Sequence, residues 1–302
     1  VMRILELYRE LVEGQLAIPT LLGYKTDREK FVGALYTTTL ESIMPDGKAL
    51  QMGTSHNLGQ NFSKAFQIKY LGKDEQTHYA WNASWGVSWR VIGAIIMLHG
   101  DDRGLVMPPR IAPVQVVVVP IPYKEAEEAS IMDQAKLTTK KLEEAGVHVT
   151  LDDREQYTPG WKFNEWELKG VPLRLEIGPR DVSRGQVTMV RRDTMERSVT
   201  RLDEVGAEAS RLLDLIQSSL FEKASKSLKD AIRDARTYEE FTRTIEGVGG
   251  CVRACWCSDT GCEDKIKDET GATIRVVPQT DETVFADCVK CGKPANKVVY
   301  FA

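Results

Sequence analysis

Trp81-Asn82-Ala83-Ser84-Trp85-Gly86-Val87-Ser88-Trp89-Arg90 runs directly into the apolar segment Val91-Ile92-Gly93-Ala94-Ile95-Ile96-Met97-Leu98 and closes at His99-Gly100. The stretch reads as a strand that hands a charged residue to a buried helix. A glycine at position 86 lets a flat ligand approach the backbone. Arg90 falls where the helix begins, so its cation and the positive helix end point the same way. That arrangement suits a polyphosphate. A core strand and core helix with a merely solvated Arg90 fits the same letters, and the neighbouring segments decide between the two.

Upstream lies Gln51-Met52-Gly53-Thr54-Ser55-His56-Asn57-Leu58-Gly59-Gln60-Asn61-Phe62, and downstream Val106-Met107-Pro108-Pro109-Arg110-Ile111-Ala112-Pro113. With the Gly86 to Arg90 segment, these resemble the later half of a class II aminoacyl-tRNA synthetase catalytic domain, in particular prolyl-tRNA synthetase of the archaeal and eukaryotic type. Pro159-Gly160-Trp161-Lys162-Phe163-Asn164-Glu165-Trp166-Glu167-Leu168-Lys169-Gly170 and Leu175-Glu176-Ile177-Gly178-Pro179-Arg180-Asp181 are similar to the anticodon-binding domain of the same family. The resemblance covers nearly the whole chain.

A length of 302 residues with 42% hydrophobic content supports two or three cores. No apolar run approaches the ~20 residues of a membrane span. The start has no charged, apolar and small-residue leader, so six cysteines are read as reduced thiols or metal ligands and the cytoplasm is the expected compartment. A chain that opens at Val1 in an amphipathic helix reads as part of a longer protein. Net charge is −4 and the isoelectric point about 5.8, which argues against indiscriminate nucleic-acid binding. From Lys162 to Arg201, however, nine Lys or Arg stand against six Asp or Glu, a local balance of +3. That fits a confined RNA footprint, or ordinary solvated faces.

Helical spacing of Ile4, Leu7 and Leu11 predicts a helix over residues 1 to about 14. Thr37 to Glu41, 49 to 54 and 80 to 89 read as strands of an antiparallel sheet, with a helix-opening loop from His56 to Lys64. The helix from Arg90 is expected to pack on that sheet through Gly93 and Ala94. At Pro113 the pattern changes to Val114-Gln115-Val116-Val117-Val118-Val119, the run of a strand covered on both faces. A helix over 124 to 145, a strand over 147 to 151, a short helix over 161 to 168 and strands over 171 to 177 and 186 to 192 predict a small α/β domain with a largely parallel sheet. A charged helix is expected from about Asp203 to Arg236, followed by a cysteine-rich end. The fold class is thus α/β (α+β). It combines a partial class II antiparallel-sheet core over 1–112, an anticodon-binding domain over 113–218 and a zinc-binding domain over 219–302.

The resemblance implies specific sites. Amino-acid activation needs no protein nucleophile, because the substrate carboxylate attacks the ATP α-phosphorus while the protein supplies position and charge compensation. Arg90 maps onto the motif 3 arginine that grips the ATP phosphates, with Ser88 and Gly86 lining the adenosine. Gln51 and Thr54 map onto contacts to ATP and its Mg2+. His56 maps to the prolyl pocket, which Phe62, Ser84 and Trp85 would wall, although aromatics at such positions also serve as core. Arg110 is a second phosphate candidate with an equally good structural role at a domain junction. Lys162, Glu165, Lys169 and Arg180 resemble the anticodon-reading surface, where Glu accepts from base amino groups and Lys or Arg donates to guanine acceptors. Trp161 and Trp166 are candidates for base stacking or for core burial.

Cysteines 257, 262, 288 and 291 give Cys-x4-Cys, 25 intervening residues, then Cys-x2-Cys, a spacing that assembles a closed tetrahedral structural Zn2+ site. Cys251 or Cys255 could replace Cys257, since Cys255-Trp256-Cys257 also chelates. The resemblance favours Cys257.

Motif 1, which builds the class II dimer interface, and motif 2 are expected before Val1, and family members end in a tyrosine where this chain stops at Tyr300-Phe301-Ala302. Residues 1 to 80 hold no domain-sized editing insertion. The expected activity is proline–tRNA ligation, in which ATP and L-proline give prolyl-adenylate and the prolyl group passes to tRNA(Pro). The expected partners are those substrates and a second copy in a homodimer, with neither membrane nor DNA. Two rival readings are a non-catalytic tRNA-binding relative and a zinc-dependent nucleic-acid binder using only the acidic end domain.

Overall fold

The computed structural model describes residues 1–122 and 125–302. Helix α1 (Met2–Arg9) widens into a π-helical turn over Glu10–Gln15. Strands β1 (Leu21–Tyr24), β2 (Tyr36–Ile43) and β3 (Ala49–Gly59) follow, then α2 (Asn61–Ala65). A hairpin of β4 (Lys69–Leu71) and β5 (Thr77–Tyr79) precedes β6 (Asn82–Val87) and α3 (Arg90–His99). The middle of the chain carries β7 (Val116–Pro120), α4 (Glu125–Glu144), β8 (Val149–Leu151) and α5 (Pro159–Leu168). It continues through β9 (Leu173–Ile177), α6 (Pro179–Arg184), β10 (Gln186–Arg191) and β11 (Arg197–Arg201). The last third has α7 (Val205–Ala231), β12 (Ile232–Ala235), α8 (Tyr238–Arg243), β13 (Cys251–Trp256), α9 (Thr260–Thr270), β14 (Ile274–Pro278) and β15 (Lys297–Phe301).

Two compact units emerge. The first comprises Val1–Gly14, Ile18–Ala94 and Ser225–Ala302. Its eight-stranded sheet has the order β12-β13-β15-β14-β1-β2-β3-β6, so strands from the two ends of the sequence share one sheet through the antiparallel β1–β14 pair. Helix α1 packs on β2 and β3, where a side chain at Gly53 would press on the Tyr8 ring at 3.2 Å. On the other face the fully buried Glu41 accepts from Lys25 and, at 2.8 Å, from Arg275 of β14. This ion network ties β2 to the neighbouring strands. Near the chain end, Phe241, Val252, Ala254, Ile266, Val299 and Phe301 fill a separate core.

The second unit comprises Gln15–Ala17 and Ile95–Ala224. Its five-stranded sheet has the order β11-β10-β9-β7-β8. β7 and β9 are buried at every residue, as the apolar Val116 to Val119 run requires. Val116 and Val118 pack with Ile131, Ala135 and Leu142 of α4, while Val117 and Val119 meet Phe163 and Trp166 of α5. α7 contributes Val205, Ala209 and Leu212 to the first of these layers.

Several expectations need correction. The segment from His56 is no loop: β3 continues to Gly59 because β2 pairs with it on one side and β6 on the other. The helix from Arg90 is not buried, since Ile92, Ile96 and Met97 are 47%, 49% and 43% exposed, although Ala94 is fully covered. The sheet of the second unit is mixed: β8-β7-β9 run parallel, while β9-β10 and β10-β11 pair antiparallel. The charged helix stops at Ala231, and residues 232–235 join β13 as a parallel strand. Of the helix expected from 124, Lys124 lies outside the described residues and the rest is α4. No helix among the described residues is long and apolar enough to cross a membrane.

Lys25 is itself buried and its ammonium is pushed below its ordinary value by that burial, so it depends on Glu41 for its charge partner. Glu41→Gln leaves two cations facing a neutral amide. Removing one partner of a buried ion pair costs about 3–5 kcal/mol. A urea unfolding series should register that loss as a lower midpoint with an unchanged slope.

Candidate functional site

The antiparallel register of β3 against β6 sets Thr54 opposite Gly86 and His56 opposite Ser84. Directly opposed residues share a face, and successive residues alternate, so Thr54, His56, Ser84 and Gly86 face the same way. β2 adds Thr37 opposite His56 on that face. The imidazole is fixed at both nitrogens: Nδ1 hydrogen-bonds Thr37 Oγ1 at 2.9 Å and Nε2 hydrogen-bonds Thr54 Oγ1 at 3.0 Å. Burial lowers its pKa, so His56 is a neutral hydrogen-bonding group at physiological pH. The Phe31 ring lies 5.0 Å from the imidazole and 6.4 Å from the Phe62 ring, which makes Phe31 a member of this cluster that the sequence motifs did not signal.

A β-bulge in β3, where Glu41 opposes Gln51 but Leu40 opposes Gly53, shifts Gln51 out of the simple alternation. The Ser88 N–H donates to the Met52 carbonyl at 2.9 Å, continuing the β3–β6 pairing to the start of α3. Ser88 Oγ accepts the Arg90 backbone N–H at 3.3 Å. The Arg90 guanidinium is exposed and reaches the Gln51 carbonyl at 3.5 Å, so Gln51, Ser88 and Arg90 form one corner. An added Cβ at Gly86 would meet nothing within 4 Å, which leaves flat open backbone beside that corner. Trp85 opposes Ser55, and Ser55 Oγ donates to the Val1 carbonyl on the α1 side of the sheet. Trp85 therefore points to the opposite face from Ser84, and the structure does not bring it together with His56 and Phe62.

In the second unit the hub is Asp152, just past β8. Its carboxylate accepts from Arg154 Nε at 2.8 Å and Nη2 at 2.7 Å, and from Trp166 Nε1 at 2.7 Å. Burial alone raises this carboxyl, yet the Arg154 and Trp166 hydrogen bonds outweigh it and hold the pKa at about 2. Lys162 is buried, with Nζ donating to the Asp152 carbonyl at 2.9 Å, and it lines a cavity of about 270 Å³. Glu165 accepts from Arg154 and, at 2.7 Å, from Lys169. Helix α5, capped by Thr158 and opened by Pro159, thus brings Lys162, Glu165 and Lys169 together. Arg180 stands apart, lining a polar cavity of about 640 Å³ with Arg184, Arg197 and Glu176. The two tryptophans divide. Trp166 packs inside, whereas Trp161 is 42% exposed and stacks on Tyr157 at 3.7 Å and 9°. Arg154 lies over both rings at 5.0 and 5.3 Å. Arg110 sits in the short turn Pro109–Ile111, and Gln217 accepts its backbone N–H at 3.3 Å, which is the structural role open to it.

The thiols of Cys257, Cys262, Cys288 and Cys291 all lie within 4.8 Å of one another. Two of the separations are 3.7 and 3.8 Å. Four Zn–S bonds of about 2.3 Å set tetrahedral edges of about 3.8 Å, so this donor set fits a zinc ion. Cys257 directly follows β13, Cys262 lies in the first turn of α9, and the other two sit on a tight knuckle. There the Gly292 N–H donates to the Cys288 carbonyl at 2.9 Å, with Gly292 at φ +66°. The Lys293 backbone N–H, first among several donors, draws the Cys291 thiol down to about 7, while burial raises Cys257 and Cys262. Cys251 and Cys255 are buried elsewhere on β13, and neither belongs to the cluster.

Known proteins resemble this chain in sequence and fold. Residues 115–212 match the anticodon binding domain family, and residues 238–302 match the family described as prolyl-tRNA synthetase, C-terminal. A proline–tRNA ligase of Cenarchaeum symbiosum (strain A) is 50% identical over 299 residues, covering 99% of this chain and 62% of its own length. One from Acetoanaerobium sticklandii is 47% identical over 306 residues, again with 62% of its length covered. A crystal structure of prolyl-tRNA synthetase from Cryptosporidium parvum, complexed with L-proline and AMP, superposes with a TM-score of 0.93 at 39% identity, covering 99% of this chain and 64% of the other. The fold and these matches make the chain similar to aminoacyl-tRNA synthetases, with an anticodon binding domain over residues 115–212. Within that class the chain is similar to the prolyl-tRNA synthetases, and it spans a little under two thirds of the length of the relatives it matches.

Asp152 and Asp101 both have depressed carboxyl pKa values near 2, the latter held by a hydrogen bond from Arg192. Against an unfolded value of about 3.9, their contribution to stability is complete above that pH and is lost as pH falls toward 2. Urea midpoints should therefore hold steady down to about pH 5 and drop between about 4 and 2. Asp152→Asn should lower the midpoint at neutral pH and make the acid drop shallower.

Proposed function

We propose that this chain supplies the later half of a proline–tRNA ligase: the full-length protein activates L-proline with ATP to prolyl-adenylate and passes the prolyl group to tRNA(Pro). The observation that carries this reading is the shared sheet face of Thr54, His56, Ser84 and Gly86 with Arg90 at its end. The Arg90 guanidinium grips the ATP phosphates, and the open backbone at Gly86 with Ser88 lines the adenosine. Gln51 and Thr54 contact ATP and would help hold Mg2+, which when bound neutralises phosphate charge. The proline carboxylate attacks the α-phosphorus with pyrophosphate leaving, and a tRNA terminal ribose hydroxyl then attacks the prolyl carbonyl, breaking the acyl–phosphate bond and releasing AMP. Neutral His56, held between two hydroxyls, forms the pocket floor beside Phe62 and Ser84, with Phe31 as an added wall. Trp85, expected as a further wall, faces the α1 side of the sheet and is left out of this pocket.

Lys162, Glu165, Lys169 and Arg180 read the anticodon, with the Tyr157–Trp161 stack offering an exposed platform for an unpaired base. The four thiols hold a zinc ion that supplies structure and no open coordination position. The functional division at 1–112, 113–218 and 219–302, a homodimer and a cytoplasmic location belong to the same reading.

Proline-dependent ATP–pyrophosphate exchange by the full-length protein is the direct assay. Arg90→Ala should reduce it at least about 100-fold, the scale of losing a preorganised charge donor. Exchange unchanged by that substitution, or none with any amino acid, would refute the assignment. Trp161→Ala should weaken tRNA(Pro) binding by about 1–3 kcal/mol in a filter assay, the worth of one stacked base. The chain should also carry about one equivalent of zinc, and full content in Cys262→Ser would show the ligand set to be wrong.

A further inference from the structure

The knuckle between Cys288 and Cys291 carries Lys290, whose side chain is only 13% exposed and turns away from the thiols. Its ammonium donates to Glu269 and lies 3.7 Å from the centre of the Tyr238 ring. The Tyr238 hydroxyl donates to the same Glu269 oxygen at 2.6 Å. Glu269 is in the last turn of α9, and Cys262 is in the first turn of that helix. One lysine therefore links the segment that carries two thiols to the helix that carries a third, and Tyr238 of α8 closes the triangle.

We propose that Lys290, Glu269 and Tyr238 form a brace that holds the four-thiol cage in its ligating geometry before the metal arrives, with Lys290 and Glu269 as positioning residues. The proposal rests on the zinc reading of the cage. Besides the brace, the segment is attached to β13 by the Val289 N–H, which donates to the Cys255 carbonyl at 2.9 Å, by the Phe285 N–H to Cys255 Sγ at 3.4 Å and by the Asn296 N–H to the Trp256 carbonyl at 3.1 Å, with Cys288 and Val289 buried in the same core. Those hydrogen bonds join the segment to β13 and none of them reaches α9, which the Lys290–Glu269 contact addresses. Outer partners that orient metal ligands are worth about 10–100-fold in affinity.

The test is zinc competition against a chromophoric chelator, with the rate of zinc release followed in parallel, on the 302-residue chain and on Lys290→Met, Glu269→Gln and the double variant. Each single substitution should weaken zinc binding about tenfold or more and speed its release, and the double variant should be no weaker than the worse single. Glu269 is half exposed, so Glu269→Gln carries the test even where Lys290→Met unfolds the chain. Wild-type affinity in both singles would overturn the brace. Tighter binding in Glu269→Gln with weaker binding in Lys290→Met would also overturn it, because the lysine would then act on the thiolates as a bare charge. A wild-type chain that takes up no zinc sinks the cage reading itself, a result distinct from either.

Discussion

The pairing register between β3 and β6 is the constraint on which the candidate activation site depends. Side chains alternate along a strand, so a slip of β6 by one residue would send Ser84 and Gly86 to the α1 side and bring Trp85 in beside Thr54 and His56. Several features pin the register. Tyr8 packs against Gly53 on one face, the Thr37–His56–Thr54 hydrogen bonds bridge β2 and β3 on the other, and the bulge near Met52 absorbs the extra residue. The same register ends where Ser88 bonds Met52, which fixes where α3 starts and hence where Arg90 leaves the sheet.

In the second unit a different interaction plays the equivalent part. The buried Asp152 carboxylate accepts three hydrogen bonds, two from Arg154 and one from Trp166, while its backbone carbonyl accepts from Lys162. It orients Arg154 under the Tyr157–Trp161 stack and, through Arg154, holds Glu165. The residues that face an RNA in the proposed reading are thus set by a buried ion network, and their positions follow from packing of α5 on β7.

Much of this was legible in the letters, for reasons that can be traced. The Val116 to Val119 run could only be a strand covered on both faces. The cysteine spacing left Cys251 and Cys255 open beside Cys257, and the resemblance picked the four thiols that converge. Arg90 at a helix start was readable from Gly86, Ser88 and the apolar run that follows. The strand through His56 was not, because Thr54-Ser55-His56-Asn57 has no apolar alternation and is held as a strand by neighbours on both sides. β12 was missed because Ile232-Arg233-Asp234-Ala235 suits a helix locally, and only parallel pairing with β13 overrides that. β11 and the β4–β5 hairpin are polar or exposed edges with little hydrophobic signal. Arg154, Tyr157 and Phe31 escaped notice because their roles arise from contacts between elements, which no spacing within one element reveals.

The sheet-face account is tested most directly by a crystal structure of the full-length protein with a nonhydrolysable ATP analogue and L-proline. It predicts the Arg90 guanidinium at hydrogen-bonding distance from a phosphate oxygen, the adenine over the open backbone at Gly86, and the pyrrolidine ring beside His56. A nucleotide bound elsewhere, with Arg90 turned to solvent and His56 contacting neither ligand, would contradict it.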